Sequence, residues 1–284
     1  MIELIKNLES INLAEQEAAD KVMQELKKCK SYVLPIAEIN EGYRIYRATI
    51  LGKNETIITK KRLSYRSAKD NHNYQRASKP QSTAFYGTVH SEDNLIGTNK
   101  KSVNLALCEV SSLLRKPFDP NQIENAIIGE WTVTKKLSLF ALAKTDETNK
   151  SSYFNVLGAD FVPFLNRKGC FNDEIAKYND FQEFITGEFN KLVAENQNHE
   201  YIISALFAEK LKQDCQIPKK IDGLIWQSTI NKDPMFNDTL CVALFPESVA
   251  KLNLNRCYQT TIRPDNKCVK IGALQDITTT IFDI

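Results

Sequence analysis

An uninterrupted apolar run, Leu240–Phe245, constrains the fold of this chain more than any other feature. A strand that is apolar on both faces belongs in the middle of a sheet that is covered on both sides. A shorter run, Gly223–Trp226, predicts another strand. Apolar residues at helical spacing predict two core-packed helices, one from an N-cap at Asp180 to about Leu192 and one over 199–213. Together these elements indicate an α+β protein.

The N-terminal segment is predicted to be helical over residues 12–31. Asn12 and Glu15 have the spacing of a capping box, in which each side chain satisfies a free amide of the first turn. Apolar residues then follow on one face at a spacing of four. We expect residues 1–41 to form a helical appendage that is too small for its own core and packs on the main domain.

The remaining pattern divides the rest of the chain into a main domain and an extension. The predicted elements are a strand at 42–50, a long ordered loop at 64–81, a helix at 102–115, a buried strand at 130–143 and edge strands within 256–284. A loop of this length in a compact domain is uncommon unless it is functional. We expect a main domain at 42–250 and a C-terminal β extension at 251–284 packed on the same domain.

The composition is that of a soluble globular protein, with 42% hydrophobic and 25% charged residues in a chain of 284. A formal charge of +2 argues against a dedicated nucleic-acid surface, which carries a large basic excess. No stretch approaches the roughly 20 apolar residues that span a bilayer, and the first residues lack the apolar run of a signal peptide. We therefore expect a cytoplasmic protein without a membrane partner.

The spacing of cysteine, histidine and glycine excludes several classes of site. The seven cysteines include no CxxC pair, which is typical of free thiols in a reducing compartment. His72, His90 and His199 are far apart, so we expect no bound metal. The ten glycines never occur as GxG, so neither a Rossmann fingerprint nor a P-loop is present.

Charged and hydroxyl side chains recur in short segments that a compact domain can bring together. Arg47 and Arg76 carry planar guanidinium groups that match phosphate oxygens. Glu109 supplies a carboxylate that can hold ribose hydroxyls or stabilise positive charge on a sugar carbon, and Ser228 adds a hydroxyl. This combination suits a negatively charged, ribose-bearing ligand.

Each candidate residue also has a structural interpretation. Arg47 alone is compatible with a surface strand, and Glu109 with an exposed helix position. Tyr86 is commonly a packed ring with one polar edge, and Ser228 can end a strand through turn hydrogen bonds. Tyr65 either lines a pocket or is simply a loop residue. Residue types alone leave these alternatives open.

Taken in order, six segments resemble the RES domain family over roughly residues 43–246. The segments are Tyr46-Arg47-Ala48, Tyr74-Gln75-Arg76-Ala77-Ser78, Phe85-Tyr86-Gly87, Ala106-Leu107-Cys108-Glu109-Val110, Asp222-Gly223-Leu224-Ile225-Trp226-Gln227-Ser228 and Leu240-Cys241-Val242-Ala243-Leu244-Phe245. The chain departs from the family pattern at Gln75, where glycine is usual, and at Gln227, where proline is usual. Asn237 lacks the glycine commonly found near it. These changes leave the charged and hydroxyl groups intact.

The resemblance implies a fold related to the ADP-ribosyltransferases of the diphtheria-toxin type, with a mixed β core and flanking helices. It also implies that NAD is the substrate and that its nicotinamide–ribose bond is cleaved. The implied residues are Glu109, Ser228 and Arg47 for catalysis, and Arg47, Arg76, Tyr86, Tyr65 and Ser228 for binding NAD.

The acceptor and the cellular role stay open at this stage. Water as acceptor makes the protein an NAD glycohydrolase, inorganic phosphate makes it a phosphorylase, and a protein side chain makes it an ADP-ribosyltransferase. A non-catalytic nucleotide-binding or scaffold protein with the same fold is the alternative. An active NAD-depleting enzyme is implied to be a toxin or delivered effector, with a neutralising antitoxin or immunity protein as its partner.

Overall fold

The computed structural model describes residues 1–29, 35–53, 55, 58–90, 100–115, 121–142, 163, 167, 172–194, 196–213, 220–228, 239–265 and 268–281. The helices are α1 (Ile2–Glu9), α2 (Ala18–Lys28), α3 (Lys60–Leu63), α4 (Lys100–Val110), α5 (Asn172–Phe189) and α6 (Ile202–Gln213). The strands are β1 (Ile36–Ile39), β2 (Arg44–Ile50), β3 (Phe85–His90), β4 (Glu124–Val133), β5 (Leu137–Leu142), β6 (Gly223–Gln227), β7 (Thr239–Leu244), β8 (Leu252–Asp265), β9 (Cys268–Ile271) and β10 (Gln275–Asp276).

Ten strands of the described ranges form one sheet in the order β1-β5-β6-β7-β3-β2-β4-β8-β10, with β9 also paired to β8. Neighbouring strands are antiparallel except for β5 and β6, which are parallel. Strand β7 lies between β6 and β3, and all of its residues are buried. The interior strand predicted from the run Leu240–Phe245 is therefore confirmed, and so is the α+β class.

The pairing between β2 and β3 is much shorter than that between the neighbouring strands. These strands pair at one described position, Tyr46 with Thr88, whereas β2 pairs with β4 along its whole length. The two strands nevertheless pass very close together at Gly87, because an added Cβ there would lie 2.6 Å from the side chain of Ile45. This junction joins the half of the sheet that contains β7 to the half that contains β4 and β8.

The sheet has one apolar inner face and an outer face covered by helices. Side chains from both halves form the inner cluster, where the rings of Phe85 and Trp131 meet edge to face at 5.4 Å. On the outer face, α1, α2, α5 and α6 cover β5, β6 and β7. Helix α4 covers β2, β4 and β8 in a separate cluster. The two outer clusters meet over the junction of β2, β3 and β7.

The helix predicted at 12–31 begins later than expected, at Ala18. The structure forms two helices, α1 and α2, that pack against each other, so the chain must reverse direction between them. Asn12 accepts a hydrogen bond from a backbone amide within that turn, and Glu15 pairs with Lys21 at 2.8 Å. Asn12 and Glu15, which have the spacing of a capping box, therefore lie in the turn between the helices. The buried apolar stripe of α2 begins at Ala18.

Two further helix boundaries differ from the prediction. Helix α5 begins at Asn172, so Asp180 is an exposed residue within the helix and not its N-cap. Leu192 follows the end of α5 and is 71% exposed, so it does not belong to the apolar stripe. Helix α4 ends at Val110, and the five residues that were predicted to continue it form a turn. The apolar residues Phe181, Ile185 and Phe189 are buried as predicted, whereas the predicted helix boundaries are wrong.

The buried strand predicted at 130–143 is two strands, β4 and β5, and four other strands lie between them in the sheet. A polar turn at 134–136 separates them, and Ala143 lies outside the described residues. The tail is also more central than expected, because β8 pairs with β4 on one side and with β9 and β10 on the other. Within the tail, β9 and β10 lie at the edge of the sheet as predicted, whereas β8 does not.

Replacing Gly87 with alanine should destabilise the fold by about 1–3 kcal/mol, because the new methyl group overlaps Ile45. Chemical denaturation measures this loss as a lower transition midpoint. Gly187 in α5 is the control, since a Cβ there meets nothing within 4 Å and alanine favours helix. Equal midpoints for Gly87→Ala and the parent protein would contradict the tight junction.

Candidate functional site

A small pocket of about 70 Å³ opens where the two outer clusters meet. Five elements supply its wall: β2, β3, α4, β6 and β7. The lining residues are Tyr46, Arg47, Ala48, Tyr86, Gly87, Thr88, Ala106, Glu109, Val110, Trp226, Cys241 and Val242. Five of the six segments that resemble the RES family therefore supply lining residues to one cavity, and the segment Tyr74-Gln75-Arg76-Ala77-Ser78 does not.

A hydrogen-bonded group of three side chains lies at this pocket. The hydroxyl of Ser228 donates to Oε1 of Glu109 at 2.6 Å, although the two residues are 119 positions apart. The thiol of Cys241 donates to the same oxygen at 3.3 Å. The structure thus brings together two of the residues proposed from sequence, Glu109 and Ser228, and adds a third that sequence analysis did not assign.

Contacts near both ends of α4 hold Glu109 in position. Toward the start of the helix, the hydroxyl of Thr88 on β3 donates to the carbonyl of Ser102 at 2.7 Å. After its end, the buried carboxylate of Glu124 accepts bonds from the Ser111 hydroxyl at 2.6 Å and from backbone amides of the turn. A carboxylate bound by several donors is firmly placed. The turn and β4 are thereby joined, and α4 is fixed over the pocket.

Arg47 on β2 presents a guanidinium group that the fold satisfies only in part. Its Nη1 donates to the backbone carbonyl of Tyr86 at 2.8 Å, and the group lies over the ring of Phe85 at 5.4 Å. The buried Nε has no hydrogen-bond partner. Burial, together with the positive charges of Arg62 and Arg66, lowers the pKa of Arg47 to about 10. An anion in the pocket would relieve this unfavourable environment.

Arg76 makes its described contacts with the end of α5 rather than with the pocket wall. Its Nη1 donates to the carbonyl oxygens of Phe189 and Lys191, and its guanidinium lies over the ring of Tyr201 at 5.2 Å. A cation at this position also complements the negative end of the helix dipole. The charge of Arg76 still reaches the pocket, because it lowers the pKa of Cys241 against the larger opposing effect of burial.

The two tyrosines proposed from sequence occupy different environments. The ring of Tyr86 lines the pocket, and its hydroxyl contacts the amide of Ala77 at 3.0 Å and the hydroxyl of Ser78 at 2.9 Å. Burial raises the pKa of Tyr86, so the phenol stays protonated. These contacts fix the long loop at 64–81 against β3. Tyr65 packs instead against the inner apolar cluster and is not among the lining residues of the described pocket.

Three of the lining residues that received no role from the sequence have large or reactive side chains: Cys241, Tyr46 and Trp226. All three lie in the segments that carry the resemblance. The sequence therefore predicted these segments to be part of the site, but it did not show that these three side chains line the pocket. The alternation of Cys241 and Val242 on a strand apolar on both faces does not say which face is covered by α4. Nothing else in the sequence distinguishes buried residues that line the pocket from buried residues that pack in the core.

Within the described ranges, no cluster of three or more histidine, cysteine or acidic side chains has an arrangement that could bind a metal ion. None of the helices in that part of the chain has the length and apolar character needed to cross a membrane.

Comparison with known proteins returned no matching family model, no matching curated protein and no matching solved structure. The observations define the class only as an α+β protein that has a carboxylate with hydroxyl and thiol donors beside a partly buried arginine.

Replacing Arg47 with methionine should raise the free energy of unfolding by about 1 kcal/mol, because a cation with a buried, unbonded Nε is costly to the fold. The folded-state pKa is below the ordinary value, so this cost is present at every pH below about 10. Thermal unfolding should show a melting temperature about 2–4 °C higher. The matched control is Arg66→Met at an exposed position, which should change little. A lower melting temperature for Arg47→Met would contradict this interpretation.

Proposed function

We propose that the protein consumes NAD by cleaving the bond between nicotinamide and ribose. The observation that carries the proposal is the 2.6 Å hydrogen bond from Ser228 to Glu109 in a pocket that Arg47 also lines. A carboxylate, a hydroxyl and a guanidinium around one cavity are the groups that a cationic sugar with an attached phosphate requires. The RES-like order of segments supports the same assignment.

The arrangement of the sheet supports an ADP-ribosyltransferase-like fold as part of this proposal. A mixed sheet loosens between β2 and β3, and helices cover the two sides of that junction separately. The pocket opens at the junction, so residues from both halves of the sheet meet there. A site formed between two halves suits an elongated dinucleotide, because its two ends can be held by different elements.

The chemistry assigns separate tasks to these groups. The C1′–N bond breaks, its electron pair goes to the nicotinamide nitrogen, and positive charge develops on the ribose carbon. Glu109 stabilises that oxocarbenium-like charge through the ribose hydroxyls, and Ser228 orients the carboxylate and the reacting end of the substrate. A nucleophilic atom of the acceptor, oxygen in water or phosphate, then bonds to C1′, and any proton that this atom carries is released to solvent.

Arg47 is the first choice for binding the pyrophosphate, because it lines the pocket and its Nε is unbonded. Arg76 is the second cation that we propose for the pyrophosphate. Its Nη1 already donates to carbonyl groups at the end of α5. Tyr86 presents its ring to the nicotinamide side of the pocket. Tyr65 remains in the proposal only as a residue of the loop whose position Tyr86 secures.

The test is incubation of purified protein with NAD, followed by chromatography of the products. Glu109→Gln keeps the size of the side chain and removes its charge, so nicotinamide release should fall on the order of 100-fold or more. Glu41→Gln, an exposed position in a turn, is the matched control and should retain full turnover. Unchanged turnover by Glu109→Gln would sink the assignment of this carboxylate.

Reactions with and without inorganic phosphate identify the acceptor. ADP-ribose as the companion product indicates water, and a phosphate ester of ADP-ribose indicates a phosphorylase. Labelled ADP-ribose retained on added protein indicates an ADP-ribosyltransferase. Binding of NAD without cleavage by any of these routes would replace the enzyme with the alternative, a nucleotide-binding protein, for which the departures at Gln75 and Gln227 are the motivating observation.

An enzyme of this kind needs protection for the cell that makes it, so we include a neutralising antitoxin or immunity protein, or delivery as an effector, in the proposal. Growth of a host that expresses the chain tests this role. Intact protein should deplete NAD and stop growth, while Glu109→Gln should permit growth at the same protein level. Equal toxicity of both would remove NAD depletion as the cause.

A further inference from the structure

We propose that Cys241 is a positioning residue for Glu109, acting with Ser228 to hold one carboxylate oxygen so that the other receives the ribose hydroxyls. This inference rests on the proposed function and deepens it by assigning different roles to the two oxygens of Glu109. Nothing in the family resemblance assigns a role to this thiol.

The geometry places two donors on a single acceptor atom. The Ser228 hydroxyl and the Cys241 thiol both point at Oε1 of Glu109, at 2.6 Å and 3.3 Å. A carboxylate oxygen has two lone pairs, so these donors complete the hydrogen bonding of Oε1. Among the described residues no donor is directed at Oε2 of Glu109, which leaves that oxygen for a ligand in the pocket.

Cys241 lies on the buried strand β7, which is paired on both sides. It is opposite Trp226 on β6 and opposite Thr88 on β3, and all three residues line the pocket. Thr88 in turn bonds to α4, the helix that carries Glu109. The thiol and the carboxylate are therefore fixed to the same framework, and a short contact between them restricts the rotation of the Glu109 side chain.

The surroundings favour a thiol that donates a proton over a thiolate that attacks. Cys241 is only 3% exposed. Burial raises its pKa well above the ordinary value, and the negative charge of Glu109 raises it further. A protonated sulfur is a weak hydrogen-bond donor and a poor nucleophile, so covalent catalysis by Cys241 is not part of the inference.

The kinetic consequence is a selective loss of turnover. Without the thiol, Glu109 keeps one donor and gains freedom to rotate, so Oε2 is less often aimed at the ribose when charge develops. Misplacement of a catalytic group lowers the rate of the chemical step, whereas the pyrophosphate contacts made by Arg47 remain. We therefore expect kcat to fall while KM changes little.

The experiment compares Cys241→Ala, which removes the donor, with Cys241→Ser, which keeps one of similar size. On NAD, Cys241→Ala should lose on the order of 10-fold in kcat with KM within about twofold, and Cys241→Ser should recover most of that loss. Cys29→Ala is the control, because it removes a buried thiol remote from the pocket. Equal losses in both Cys241 variants, full activity of Cys241→Ala, or a change confined to KM would each overturn the inference.

A measurement without substrate separates this inference from the proposed function. The S–H stretching band of Cys241 is isolated by subtracting the infrared spectrum of Cys241→Ala from that of the parent protein. Replacing Glu109 with alanine should shift the band to higher frequency, because the acceptor is lost. If the band does not move, the contact is wrong whatever the protein does with NAD. If it moves and NAD is untouched by the parent protein, the proposed function fails and the pairing of thiol and carboxylate stands.

Discussion

Burial of β7 on both faces is the constraint from which the rest of the structure follows. A strand without a polar face must be covered by strands at its sides and by side chains above and below, and β6, β3, the inner cluster and the outer helices supply that cover. Strand β3 pairs with β7 along its length but with β2 at one described position, and a pocket opens beside this junction between the helical layers. The core and the candidate site therefore share one strand, whose residue Cys241 belongs to both.

The pocket combines groups that the fold satisfies with groups that it leaves unsatisfied. Glu124 and Tyr86 are fully engaged and serve to hold α4 and the long loop in place. Arg47 keeps an unbonded Nε in a partly buried environment that lowers its pKa, an arrangement that costs stability unless an anion is bound. Unfavourable burial of a charge in a pocket that a carboxylate also lines is more typical of a functional site than of a structural ion pair.

Much of the secondary structure could be predicted because its signal is local. The apolar runs of β6 and β7 and the apolar periodicity of α6 were sufficient to place those elements, and the segment around Glu109 was correctly predicted to be helical. Boundaries failed where distant contacts decide them. Asn12 and Glu15 have the spacing of a helix cap but serve a turn between packed helices. The break between β4 and β5 places two segments that are adjacent in sequence on opposite sides of four intervening strands, which no local pattern encodes.

The sequence by itself determined the class of the protein and the chemical inventory of the site: an α+β chain with Arg47, Glu109 and Ser228 in separate segments. Periodicity and residue type suffice for this because they depend on neighbours within a few residues. Only the tertiary structure decided which of these side chains meet. It joined Glu109 to Ser228, directed Arg76 to the end of α5 and placed Cys241 on the carboxylate. Those contacts depend on strand order and on the covering of one sheet face by α4, which arise from packing between residues more than one hundred positions apart.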